Sequence, residues 1–119
     1  MLIINNCVCI KKGYTRAEFI RSPLYDNQDM SMLFWLDQVV DIAGLDGKFR
    51  IGFIFGRKVL KSVYLSYRGE DGIFEDDIEK KYQQQIPITE ILKKLNPDAV
   101  SIVNAKDLRS YEALIIIDY

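Results

Sequence analysis

The sequence predicts one α+β domain spanning 1–119: a mostly antiparallel β-sheet of about six strands packed with two or three helices. Three observations predict it. Short stretches rich in β-branched and aromatic residues recur along the whole chain. Stretches with helical apolar spacing interrupt them. The densest alternation, Phe49 to Tyr67, folds back on itself around Gly56. With 49% hydrophobic residues in 119, the chain can bury a core.

Leu2 to Ile10 is apolar and β-branched at Ile3, Ile4, Val8 and Ile10 and reads as a first strand. Within it Cys7 and Cys9 would share a face with Cα atoms about 6–7 Å apart, awkward for a disulfide. Both are therefore expected to be buried thiols in a reducing cytoplasm. Lys11-Lys12-Gly13 is a turn. Over 14–21, Thr15, Ala17 and Phe19 alternate with Arg16, Glu18 and Ile20, which favours a strand, although Ala17 and Ile20 also suit a short helix. Ser22-Pro23 ends it. Asp29 or Ser31 then caps a predicted helix running to about Ala43, with Gly44 as its stop. Its spacing comes from Leu33, Leu36, Val40 and Ala43, with Asp37 and Asp41 on another face.

The turn Leu45-Asp46-Gly47 leads into the central hairpin. Phe49, Ile51, Phe53 and Phe55 share one face of the outgoing strand. Val59, Val63, Leu65 and Tyr67 share one face of the return, with Lys61 the exception. A three-residue turn, Gly56-Arg57-Lys58, opposes Phe55 to Val59, Ile51 to Val63 and Phe49 to Leu65 and gathers these side chains, whereas a one-residue slip scatters them. Ile54 and Leu60 are expected to meet on the other face, where Gly52 leaves a gap that another element can enter.

After Arg68 the composition changes. Residues 69–79 hold Glu70, Asp71, Glu75, Asp76, Asp77 and Glu79 and no Lys or Arg, six acidic residues in eleven. Gly69 and Gly72 make the start a loop, and Phe74, Ile78 and Tyr82, four apart, suit a short amphipathic helix. Thr89 caps a further helix to Leu95 that buries Ile91, Leu92 and Leu95 and ends at Asn96-Pro97. Ala99 to Val103 and Tyr111 to Tyr119 complete the strands. The run Leu114 to Ile117 is continuous enough to be covered on both faces.

Function is narrowed first by what is missing. The chain has no histidine, which removes Ser-His-Asp and Cys-His arrangements and every histidine metal site. Net charge is −1, so no global field recruits nucleic acid or an anionic membrane. The first ten residues lack a basic start. The apolar runs Met32 to Leu36 and Ala113 to Ile117 fall far short of the roughly 20 residues that span a bilayer. A cytoplasmic protein without a cofactor is expected. Cys7 and Cys9 lack the second pair that a zinc site needs. Asp37 and Asp41 would carry a metal-assisted hydrolase reading. Asp77, Glu79 and Lys81 loosely suggest the acidic-plus-lysine clusters of metal-dependent nucleases, but on a segment that reads as loop or helix. Gly52-Phe53-Ile54-Phe55 resembles the aromatic signature of RNA-binding sheets, with Ile51 where a basic residue belongs. There is no Gly-rich phosphate loop followed by Lys and Ser or Thr.

The acidic segment carries the main expectation. Acids studded with apolar anchors can steer a basic surface and dock on it. The expected function is a non-enzymatic protein-binding domain of the bacterial immunity-protein or antitoxin type. It would block a basic partner such as a nuclease toxin through Glu70, Asp71, Phe74, Glu75, Asp76, Asp77, Glu79 and Tyr82, without direct nucleic-acid or membrane binding. The alternatives are the carboxylate hydrolase and a structural subunit of an oligomer, the latter suggested by an aromatic content of 12%.

Overall fold

The computed structural model describes residues 1–72 and 75–119. In chain order these form β1 (Leu2–Ile4), β2 (Val8–Ile10), α1 (Arg16–Ile20), β3 (Phe34–Trp35), β4 (Phe49–Phe55), β5 (Leu60–Tyr67), α2 (Ile78–Leu95), β6 (Ser101–Asp107) and β7 (Glu112–Asp118). β1 and β2 make a small sheet. The other five strands make an antiparallel sheet in the order β3-β4-β5-β7-β6. The α+β class holds, with seven strands and two helices among the described residues.

The central hairpin keeps its predicted core face but shifts its register by two. Phe53 lies opposite Val63, Ile51 opposite Leu65 and Phe49 opposite Tyr67. The irregularity sits between Ile54 and Phe55, where Leu60 meets Phe55. This bulge puts Leu60 into the core and Val59, 45% exposed, outside it. Ile54 therefore faces Ser62, not Leu60. Gly52 does take a neighbour: a Cβ there would stand 2.9 Å from the Trp35 ring.

Four local expectations are corrected. Leu2 to Ile10 is a hairpin because Asn5 and Asn6, at φ 52° and 57°, turn the chain in the left-handed region that asparagine tolerates. Cys7 sits in that turn, and both cysteines are exposed thiols. Residues 16–20 are helix. Thr15 bridges Val59 as strand, then its hydroxyl accepts from the Glu18 N–H at 3.0 Å and caps α1, which aims Phe19 inward. Residues 29–43 are not a helix. Phe34-Trp35 pair with Phe53-Gly52, and Val40 exchanges both backbone hydrogen bonds with Phe49. Aromatic and β-branched residues are weak helix formers, and the free edge of β4 satisfies their backbone better than a helix would. Last, α2 is one helix across Pro87, not a break followed by a second helix capped by Thr89. Thr89 is buried and its hydroxyl donates to the Gln85 carbonyl at 2.7 Å. Ile91, expected inside, is 40% exposed, whereas Leu92 is buried.

The core lies on the Phe49–Phe55 face of the sheet, under the β1–β2 hairpin, α1 and α2. Phe19 is its hub, with ring centroids of Phe53, Phe34 and Phe55 at 5.2, 5.4 and 5.5 Å. The opposite face carries Trp35, Tyr64 packed edge-on against it, and Arg50, whose guanidinium is 4.6 Å from the Trp35 ring centre. No helix among the described residues is long and apolar enough to cross a membrane.

Candidate protein-docking surface

The acidic segment leaves the sheet at the end of β5. Gly69 and Gly72, at φ 72° and 83°, turn the chain with conformations that favour glycine. Glu70 and Asp71 are exposed in these turns, and Asp76 is exposed just before α2. Phe74 lies outside the described residues.

Asp77, Glu75 and Glu79 bond at the start of α2. Asp77 caps α2, its Oδ1 accepting from the N–H groups of Glu79 and Lys80, each at 3.1 Å. Glu75 pairs with Lys80 at 3.1 Å and accepts from the Asp77 N–H, which together hold its carboxyl below the usual range. Glu79 pairs with Lys106 and accepts from Gln83, and Lys106 is the main cause of its lowered pKa. Lys106 also sits 4.8 Å from the centre of the Tyr82 ring. The structure thus divides the expected residues. Glu79 and Tyr82 fasten the start of α2 to β6, Glu75 and Asp77 bond within that start, and Glu70, Asp71 and Asp76 are exposed.

The outward acids have a neighbour that sequence reasoning missed. Tyr67 has its pKa raised by burial first and then by Glu70, Asp46 and Asp71. It lies against Gly47, where a Cβ would come within 2.6 Å of its ring, so the approach requires glycine. Beside it a groove of about 330 Å³ runs between the Gly44–Asp46 loop and α2, lined by Leu45, Asp46, Tyr67, Pro87, Ile88 and Ile91. The groove is of mixed polarity, with Leu45, Ile88 and Ile91 beside Asp46 and Gln84. Of its lining, sequence reasoning had placed only Ile91, and on the buried side of its helix, whereas Ile91 is exposed.

The other candidates disperse. Asp41 is paired with Lys48 at 2.6 Å, and Asp37 is exposed on a non-helical stretch, so the two do not share a helix face. Lys81 does not join Asp77 and Glu79. It is fully buried, 2.6 Å from Ser66 Oγ and 2.9 Å from Glu112 Oε1. Arg68 donates to the same Glu112 oxygen at 3.1 Å, and the Ser66 hydroxyl donates to it as well. Burial pushes the Lys81 pKa down against the pull of Glu112. Burial pushes Glu112 up, but Ser66, Lys81 and Arg68 together bring it below its ordinary value. A lysine on a serine hydroxyl is a nucleophile–base pairing in chemical type. Here both groups have zero exposure, and the cluster joins β5, β7 and α2 instead of meeting solvent.

No protein-family model, no curated protein and no solved structure matches the chain.

Proposed function

We propose that this chain is a non-enzymatic protein-binding domain whose acidic end docks a basic partner protein, in the manner of an immunity protein or antitoxin that covers a nuclease-type surface. The single observation that carries the reading is the groove at Tyr67, which sets Leu45, Ile88 and Ile91 beside Asp46, with the exposed Glu70 and Asp71 close in sequence to Tyr67. Exposed carboxylates raise the encounter rate with a basic surface, and a desolvated apolar floor holds it afterwards. Partner residues of matching chemistry are Lys or Arg flanking an aliphatic or aromatic side chain. Asp76 adds to the steering field, whereas Glu75, Asp77 and Glu79 contribute less than their number suggests because their charges are partly met internally.

The test is capture of partners by the tagged chain from its own cells at low and moderate salt, beside a Glu70→Lys, Asp76→Lys variant. One stoichiometric basic protein, released by salt and lost with the variant, is expected. A partner retained equally by the variant would remove the acidic end from the interaction.

A further inference from the structure

The five-stranded sheet protects its two edges unequally. At one edge β3 is two residues long. At the other, β6 is seven residues long and is bonded only to β7 among the described residues. Natural edges are blunted by Pro, bulges, inward charges or shortness. β6 pairs with β7 residue for residue, without a register shift, and contains neither Pro nor Gly. Its two charges are met inside the chain. Lys106 pairs with Glu79, and Asp107 accepts from the Arg109 N–H at 3.0 Å. Val103, 50% exposed, ends a row of cross-strand partners, Trp35, Gly52, Tyr64 and Ile116, on the sheet face opposite the core. On the other face α2 lies above β6 and β7. Asn104 donates to the Tyr82 carbonyl at 2.9 Å and accepts from Gln85 at 3.0 Å, and Lys81 reaches Glu112. A groove of about 380 Å³ opens between α2 and β6, lined by Tyr82, Ile86 and Glu90 and by Ile102, Val103 and Asn104. Ile86 is 42% exposed there, and Glu90 is paired with Lys93.

We propose that β6 pairs antiparallel with β6 of a second copy, across a two-fold axis at Val103, so that the two five-stranded sheets become one. The proposal is independent of the acidic end. Charge, helix spacing and area each select a second copy. Lys106 and Asp107 lie at one end of β6, so an antiparallel pair sends them to opposite ends of the ladder, about 20 Å or more from their copies at about 3.4 Å per residue. A parallel pair would stack each on its own copy, like charge on like. The two-fold axis lies half a strand spacing outside β6. A helix above the β6–β7 midline then stands about 10 Å from its copy, which is a helix packing distance, with Tyr82 and Ile86 bordering the space between them. The open side of this strand-plus-helix layer is about 24 Å long and about 20 Å deep. Each copy thus covers about 500 Å², and the pair reaches the roughly 1,000 Å² that a specific interface needs. A strand from an unrelated protein would complete the ladder without the matching helix. The contact is isologous, so it closes as a dimer and does not propagate. Backbone bonds and apolar contacts carry it, so salt does not dissolve it.

Sedimentation velocity of the full chain over a wide concentration range, at low salt and at about 1 M salt, tests it. A dimer at both salts is expected. Val103→Lys with Ile86→Lys sets like charges about the axis and should return the chain to monomer, with the melting temperature at monomeric concentrations unchanged. Cross-linking reads the register without depending on that variant. In a Cys7→Ser, Cys9→Ser background, which removes the exposed thiols, Val103→Cys should form an interchain disulfide on oxidation. Directly opposite Cα atoms stand about 4.5–5.5 Å apart, within disulfide reach. Ala105→Cys should not cross-link, because its copies lie about 14 Å apart. A chain that stays monomeric at every concentration would overturn the proposal. So would a dimer that survives the lysine variant, or one in which Ala105→Cys cross-links and Val103→Cys does not. A dimer dissolved by salt would also overturn it and assign the contact to charged surfaces.

Discussion

Two regions of this domain are held together by different physics. Around Phe19 the contacts are apolar and weakly directional: four aromatic rings and the β4–β5 aliphatics bury one another on one sheet face. Where α2 meets β5 and β7 the contacts are polar and directional. The β5–β7 ladder stops at Leu65–Ile115, and beyond it Gln85 Oε1 accepts from the Tyr67 N–H at 2.9 Å while Lys81, Ser66, Arg68 and Glu112 join the elements. Shape matters most in the first region and completeness in the second, because a buried charge that loses its partner stays desolvated.

The largest expected effect breaks the polar seam. Glu112→Gln keeps the shape but removes the buried carboxylate that Lys81 and Arg68 share, and should cost about 3–5 kcal/mol in urea unfolding. The same carboxylate sets a pH dependence. Its folded pKa lies below the ordinary 4.5, so between these values the unfolded chain binds a proton that the folded chain refuses. Stability from Glu112 is complete above that window and lost as pH falls through it. A melting-temperature profile should therefore be shallower on the acid side in the Gln variant than in the wild type. Next in size is Gly52→Ala, which forces the Trp35 ring off the sheet and should cost about 1–3 kcal/mol with a change in tryptophan fluorescence. Leu65→Met, a volume-conserving change at a fully buried core position, should cost less than about 1.5 kcal/mol, so the apolar region tolerates a swap where the polar seam does not. Asp77→Ala removes the α2 cap and should cost about 1 kcal/mol, read by thermal unfolding.

The same contrast explains what was legible in the sequence. Phe49, Ile51, Phe53 and Phe55 declared their face because period-two alternation is a local signal. Their register was not legible, because the bulge at Ile54/Phe55 answers to Leu60 filling the core. The stretch 29–43 misled because Leu33, Leu36 and Val40 fit a helix, while the edge of β4 that claimed Phe34, Trp35 and Val40 is distant in sequence. Lys81 fell on the inward stripe of α2 with Gln85, Thr89 and Leu92, but a lysine is assigned to solvent unless its partners on β5 and β7 are known. At the acidic end, composition located the segment and could not divide it. The cap at Asp77 and the Glu79–Lys106 pair depend on where α2 begins and which strand lies beside it. Tyr67 and the Leu45–Ile91 groove joined the candidate surface only through the fold.

The central claim is that the acidic end binds and the polar seam only holds. The most direct test measures, on one set of proteins, affinity for the captured basic partner and melting temperature. Glu70→Lys with Asp76→Lys should weaken binding by at least about tenfold and leave the melting temperature unchanged. Lys81→Met should lower the melting temperature and leave affinity unchanged while the protein is folded. A folded Lys81→Met protein that no longer binds, beside an acidic variant that binds as the wild type does, would contradict the account and move function to the seam.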